Sequence, residues 1–170
     1  LVIVIDTREQ RPYGFGDKVS IQRKALQTGD YSVAGLENEI AIERKSLDDL
    51  IGSLSAGRER FNKELERLKH YPVKAIVCEA AWCHVITGDY RSKMSPAAAY
   101  GSIIGIIAMG IPVVMAGGRM EAERACYSIL RIAYNRYQAK LHHFSRGKII
   151  KASENKINPI AVTIGTGKSA

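Results

Sequence analysis

Cysteine is scarce in this chain, with Cys78, Cys83 and Cys126 the only three in 170 residues. An odd, scattered set cannot build the disulfide framework of a small secreted domain and predicts reduced thiols. Proline is equally thin, at five residues, and the 15 glycines follow no three-residue period, which excludes collagen-like and low-complexity chains. Long apolar runs are missing too. The longest, 103–115, is broken by Gly105, Gly110 and Pro112 and falls short of the roughly 20 residues of a membrane helix. Leu1 to Ile5 is apolar, but Asp6, Arg8 and Glu9 follow at once and no basic region precedes it, so it is no signal-peptide core. These absences predict a soluble intracellular protein with no membrane partner. The chain opens at Leu1 rather than methionine, which leaves room for flanking domains.

What is present is an ordinary globular balance, 46% hydrophobic and 25% charged. Lys and Arg number 25 against 17 Asp and Glu, a net charge of +8, which suggests a polyanionic partner. Strand patterns come first. Leu1–Ile5 is a continuous apolar run, Val19 and Ile21 alternate with polar residues, Tyr31 and Val33 start a third strand, and Glu39–Lys45 returns after a turn. The period then changes. Leu47, Leu50, Ile51 and Leu54 make a helical face, and Phe61, Leu65 and Leu68 make a second, ended by Pro72. Val73–Cys78 reads as a strand. Ser95-Pro96 reads as the cap and first turn of an apolar helix to Met109, 111–115 as a strand, and Met120 to about Lys140 as a last helix. The segment from His142 to Ala170 is basic without a period and is expected to be a mostly irregular tail, leaving 1–140 as the domain. Strands followed by alternating helices and strands predict an α/β domain.

Chemistry concentrates in the first half. Asp6 follows the first strand, Asp30 follows Gly29, and Glu43 lies in the fourth strand. Side chains alternate along a strand, so Glu43 and Lys45 share a face while Arg44 points away. An acid beside a lysine, with a second acid from a neighbouring strand, suits a hydrolytic site for Mg²⁺ or Mn²⁺, which favour carboxylate oxygens. Such an ion polarises a phosphoryl group and lowers the pKa of bound water, while a lysine orients that water or meets developing negative charge. Glu-Arg-Lys alone is a common surface tripeptide. Asp6-Thr7-Arg8-Glu9 and Gly29-Asp30 before it, and Asp49 after it, make that plain reading much weaker.

In this order the motifs resemble the nuclease domain of the XPF/Mus81 family of structure-specific endonucleases, the ERCC4 domain. The family opens with an apolar strand and Val-Asp-x-Arg-Glu; here Val4-Ile5-Asp6-Thr7-Arg8-Glu9 stands in its place, with Ile beside the Asp. Its core is Gly-Asp, a variable stretch, Glu-Arg-Lys, three residues and Asp. Here Gly29-Asp30 is followed by twelve residues, Glu43-Arg44-Lys45, three residues and Asp49. The rhythm continues through Gly57-Arg58 and 64–68, and the likeness extends to about Gln138. The resemblance implies a restriction-endonuclease-like fold, a central mixed β-sheet flanked by helices. It also implies Mg²⁺- or Mn²⁺-dependent endonucleolytic hydrolysis of branched or structured DNA such as flaps, forks and bubbles, in the setting of DNA repair or recombination. By position it makes Asp30 and Glu43 the metal-holding acids, with Asp6 completing the set and Lys45 serving the water and transition state. Arg8, Glu9, Arg44 and Asp49 become supporting residues, and Arg58 lies near the site or the DNA backbone. Homo- or heterodimerisation through the later half is implied as well. The family's tandem helix-hairpin-helix module has no counterpart after Gln138, which leaves the preferred DNA structure open.

The competing reading is a non-catalytic DNA-binding or scaffold subunit, since the family includes partners that keep the fold and lose the site. The joint presence of Asp6, Asp30, Glu43 and Lys45 favours the enzyme. Other features have plainer readings. Gly88-Asp89-Tyr90 repeats Gly29-Asp30-Tyr31 but lacks a following Glu-x-Lys strand. Cys78, Cys83 and His84 lack a second ligand pair for zinc and are expected to be buried thiols and a surface histidine. Gly165-Thr166-Gly167-Lys168-Ser169 echoes a phosphate loop without its first glycine.

Overall fold

The computed structural model describes residues 1–17 and 19–154, with side chains as far as Leu141. In chain order the elements are β1 (Val2–Ile5), β2 (Ser20–Arg23), β3 (Tyr31–Val33), β4 (Ile40–Lys45), α1 (Leu47–Leu54), α2 (Arg58–Lys69), β5 (Val73–Cys78), α3 (Trp82–Thr87), α4 (Pro96–Ala108), β6 (Val113–Met115) and α5 (Arg119–Glu154). The strands form one six-stranded sheet in the order β2-β1-β3-β4-β5-β6. β3 runs antiparallel to both neighbours, and the other pairs are parallel. The expected α/β class, a mixed sheet flanked by helices, is what the chain adopts.

Parallel neighbours need a crossover. α1 and α2 supply it between β4 and β5, and α3 and α4 between β5 and β6. Ser46 caps α1 by accepting from the Asp49 amide, and Ser95 caps α4 by accepting from the Ala98 amide, with Pro96 in the first turn. The two predicted stripes close on each other. Leu50, Ile51 and Leu54 of α1 and Phe61, Leu65 and Leu68 of α2 bury against Ala41 of β4, Ile76 and Cys78 of β5, and Ala99, Ile103 and Ile106 of α4. Truncating Leu50 or Ile51 to Ala would cost about 2–5 kcal/mol. On β4 the residues that share a face with Ala41 are Glu43 and Lys45, so the apolar core gives way to charge at the carboxyl end of that strand.

Ala122, Cys126, Leu130 and Ala133 form a buried stripe along the first part of α5. There Phe15 donates its amide to Glu123 and meets the Tyr127 ring at 6.3 Å. The first compact unit is Leu1–Tyr134; in the second, Asn135–Ala170, the described part is helical. Among the described residues no helix is long and apolar enough to cross a membrane.

Two elements differ from expectation. α3 is too short for a 3.6-residue period to declare itself; the His84 ring accepts the Ala81 amide at its start, and Gly88, at φ 75°, ends it in the left-handed region. His84 is thus a cap, and Cys83 is exposed while Cys78 and Cys126 are buried. The helix α5 continues to Glu154, where irregular chain is expected from His142. The phosphate-loop echo at 165–169 lies outside the described residues.

Candidate active site

The position of Asp30 is set by the glycine before it. Gly29 has φ +78°, and a Cβ there would lie 3.0 Å from the Ile42 carbonyl oxygen and 3.2 Å from its amide nitrogen. Glycine alone satisfies both the left-handed backbone and the close approach of β4. The Asp30 amide then donates to the Ile42 carbonyl, and the Asp30 carbonyl accepts the Asp6 amide, each at 2.8 Å. Tyr31 pairs with Ile42, so the same register sets Asp30 opposite Glu43. The Arg44 amide donates to Asp30 Oδ2 at 2.8 Å, which fixes that carboxylate on β4.

Glu43 is buried, and Lys45 Nζ lies 2.8 Å from its Oε1. Glu64 of α2 stands 3.9 Å from the same ammonium, which also sits 5.3 Å from the centre of the Phe61 ring. Two carboxyls brought together in a half-dry cleft resist ionising together. Burial, and then the Glu43 charge, push Asp30 up to about 8. Burial raises Glu43 as well; Lys45 works against that shift and Glu64 adds to it. Burial alone would lower Lys45, but Glu43 and Glu64 more than offset it and hold the ammonium charged.

The structure gives Asp6 other partners. It is buried, its Oδ1 accepts Arg8 N and Nε at 2.7 and 2.8 Å, and its Oδ2 accepts Arg8 Nη2 and the Leu26 amide at 2.9 and 2.7 Å. Those bonds, the Arg8 side-chain pairing first, hold its pKa down at about 2. Asp6 does not line the cleft; Arg8 and Glu9 do. Glu9 is buried beside Arg44, with Oε2 3.5 Å from Nη1, and accepts the Arg11 amide at 2.6 Å. Arg44 runs back to the other face, as its strand position demands, and lies in a bidentate pair with Glu79 at 2.8 and 3.0 Å.

The resulting cleft, about 480 Å³, is lined by Asp30, Glu43, Lys45, Glu9 and Asp49 among others, with Arg8 and Arg60 on its walls and Gly52, Ser53 and Gly57 where α1 passes into α2. Asp49 accepts from the Ser46 hydroxyl that caps α1, so it reaches the cleft as part of a helix start. Arg58 is exposed and does not line the cleft; Arg60, one half-turn further, takes that wall.

Glu79, Arg119 and Arg60 complete the surroundings without a motif to announce them, and Glu64 joins them from the 64–68 stretch, where the family rhythm gives it no role of its own. One signal was available for Glu79. It follows β5, parallel to β4, and ligands in such sheets sit beyond the carboxyl ends of the strands.

The donor set fits a hard divalent cation. Among the described residues no group of three or more His, Cys, Asp or Glu converges as a closed cage. Mg²⁺ needs none, since it is held by one or two carboxylates and keeps oxygen positions for water and phosphate. Asp30 and Glu43 are the residues that would hold such an ion, and its charge would offset the crowding of acids that Lys45 offsets only in part.

Fold and site together define an α/β domain with a mixed sheet and an acid–lysine cleft at the carboxyl end of β4. The ERCC4 domain family model matches residues 5–128, and the chain belongs to that family. XPF from Aeropyrum pernix shares the fold at a TM-score of 0.64 and 22% identity, covering 84% of this chain and 69% of its own. The structure of Aeropyrum pernix XPF in complex with DNA gives 0.61 and 22%, covering 79% and 66%. No curated protein matches the chain.

Proposed function

We propose that this domain is a divalent-metal-dependent endonuclease that hydrolyses phosphodiester bonds in branched or structured DNA. The observation that carries the reading is the placement of Asp30 opposite Glu43, with Lys45 2.8 Å from Glu43, in one open cleft. Membership in the ERCC4 family and the DNA complex of a structural relative support DNA as the substrate.

Asp30 and Glu43 are the residues that would hold Mg²⁺ or Mn²⁺, with Glu9 and Asp49 available around them. The ion supplies polarisation of the scissile phosphate and a more acidic bound water. Lys45, kept protonated between Glu43 and Glu64, places positive charge where phosphorane charge develops. Arg8 and Arg60 offer phosphate contacts along the walls. Asp6 acts through Arg8, fixing the turn that leads to Glu9. Dimerisation belongs to the same proposal. Tyr100, Ile104 and Ile107 of α4 stay 38–45% exposed, an apolar face suited to a second domain.

The test is cleavage of labelled flap, fork, bubble and plain duplex DNA with Mg²⁺, Mn²⁺ or EDTA, comparing the chain with Glu43→Gln. Metal-dependent cutting of branched DNA that disappears in the variant is the expected result. Salt-sensitive binding without cutting would move the domain to the scaffold role.

A further inference from the structure

Arg119 stands at the start of α5, far from every motif in the sequence, yet its guanidinium is built into the wall behind the cleft. Nη1 donates to Glu79 Oε1 at 2.8 Å, and Nη2 donates to the carbonyls of Arg11 and Pro12 at 2.8 and 2.9 Å. Glu79 Oε1 is the same atom that accepts Arg44 Nε at 2.8 Å. The two guanidiniums therefore share one carboxylate. Both also lie near the Tyr13 ring, at 5.8 Å for Arg44 and 5.0 Å for Arg119. The segment they bracket, 9–13, has no regular secondary structure of its own. It carries Glu9 and Gln10 into the cleft at one end and stacks Tyr13 on Tyr31 at the other.

We infer that Arg119 is a positioning residue of the cleft, holding the 9–13 segment, and through it Glu9, against the Arg44–Glu79 pair. Three features separate this from simple cross-linking of α5. First, the donors go to backbone carbonyls two and three residues after Glu9, so losing them frees the segment that presents that acid. Second, the shared Glu79 carboxylate orients Arg44, whose own amide fixes Asp30. Third, the Arg119 side chain is 39% exposed, so the core does not need its bulk. Arginine matches the task because its planar fork serves a carboxylate and two carbonyls at once, which a lysine ammonium does less well.

The inference rests on the nuclease reading, and the experiment keeps the two apart. Wild-type chain, Arg119→Met, Arg119→Lys and Ile103→Val are compared. Ile103 lies in the α1–α4 core, so its truncation reports what lost stability alone does. Three quantities are read: Mn²⁺ affinity by calorimetry, kcat and KM on a flap DNA with Mn²⁺, and amide hydrogen exchange over 9–15. Arg119→Met is expected to lower kcat or Mn²⁺ affinity about ten-fold or more, with KM within about two-fold, and to speed exchange across 9–15. Arg119→Lys falls between it and wild type, and Ile103→Val changes none of the three. Wild-type kcat, affinity and exchange in Arg119→Met overturn the inference and leave the nuclease reading standing. So does an equal kcat loss in Ile103→Val. A wild-type chain that neither binds Mn²⁺ nor cuts overturns both.

Discussion

The backbone amide of Arg44 donates to Oδ2 of Asp30 at 2.8 Å, so a residue whose guanidinium is engaged by Glu79 also fixes, through its main chain, the carboxylate in the cleft. One tripeptide thus serves three purposes. Glu43 and Lys45 supply side chains to the cleft, while Arg44 supplies a main-chain amide to Asp30 and a guanidinium to Glu79.

Gly29→Ala should be among the most damaging single changes in the domain. The new Cβ meets the Ile42 carbonyl at 3.0 Å on a backbone with φ +78°, so β3 and β4 must separate or the turn must strain. A loss of about 1–3 kcal/mol is expected from the urea midpoint, together with loss of cutting. An unchanged midpoint would show that the turn accommodates a side chain.

Asp30→Asn should separate stability from function. The amide keeps an oxygen for Arg44 but removes the charge facing Glu43. Burial and Glu43 put the Asp30 pKa near 8, above its ordinary 3.8, so the folded metal-free state binds this proton more tightly than the unfolded one. Its contribution is therefore full below about pH 4 and declines as pH rises through about 8. The variant should melt higher than wild type at pH 8 without metal and show cutting reduced more than about 100-fold. A lower melting temperature under those conditions would contradict the crowding of the two acids.

Mn²⁺ affinity should follow the same proton. A carboxyl must be deprotonated to hold metal. With Asp30 at about 8, affinity is expected to tighten by up to about ten-fold per pH unit from pH 6 to 8 and then level off. Calorimetry across that range checks it, and a flat profile would remove Asp30 as the controlling group.

Asp6 carries the opposite sign. Arg8 and the Leu26 amide hold it at about 2, below its ordinary 3.8, so its stabilisation is complete above about pH 4 and is lost as pH falls through about 2. Arg8 is largely exposed, and the expected size is on the order of 1–2 kcal/mol after screening. Urea midpoints of wild type and Asp6→Asn should differ at pH 5 and converge towards pH 2.

Arg60→Ala should weaken DNA binding at low salt and flatten the slope of log affinity against log salt by about 0.9, one phosphate contact. Arg58→Ala, outside the cleft, should change the slope less. Equal effects would mean that the strand path runs across the outer face of α2.

Much of this domain is local in origin. The apolar run of β1, the stripes of α1 and α2, and the Ser95-Pro96 start of α4 are short-range patterns, and each forms where its period places it. Glu43 and Lys45 share a face because strands alternate, a property of the backbone that needs no tertiary information. α3, α5 and Glu9 were less legible. α3 is too short to show a period, α5 runs past the point where its pattern fades, and Glu9 reaches the cleft while Asp6, three residues earlier, is enclosed by Arg8 and Leu26.

Most of the residues behind the cleft could be found only in three dimensions. Glu64, Glu79 and Arg119 lie 21 to 76 positions from Glu43 and have no spacing in common. What joins them is the parallel pairing of β4 with β5 and the return of α5 to the 9–13 segment. The sequence by itself determined the chemistry of the site, because Asp30, Glu43 and Lys45 are placed by a turn, a register and an alternation. Tertiary structure decided which neighbours hold them, because a buried charge takes the nearest opposite charge that packing provides, wherever that residue lies along the chain.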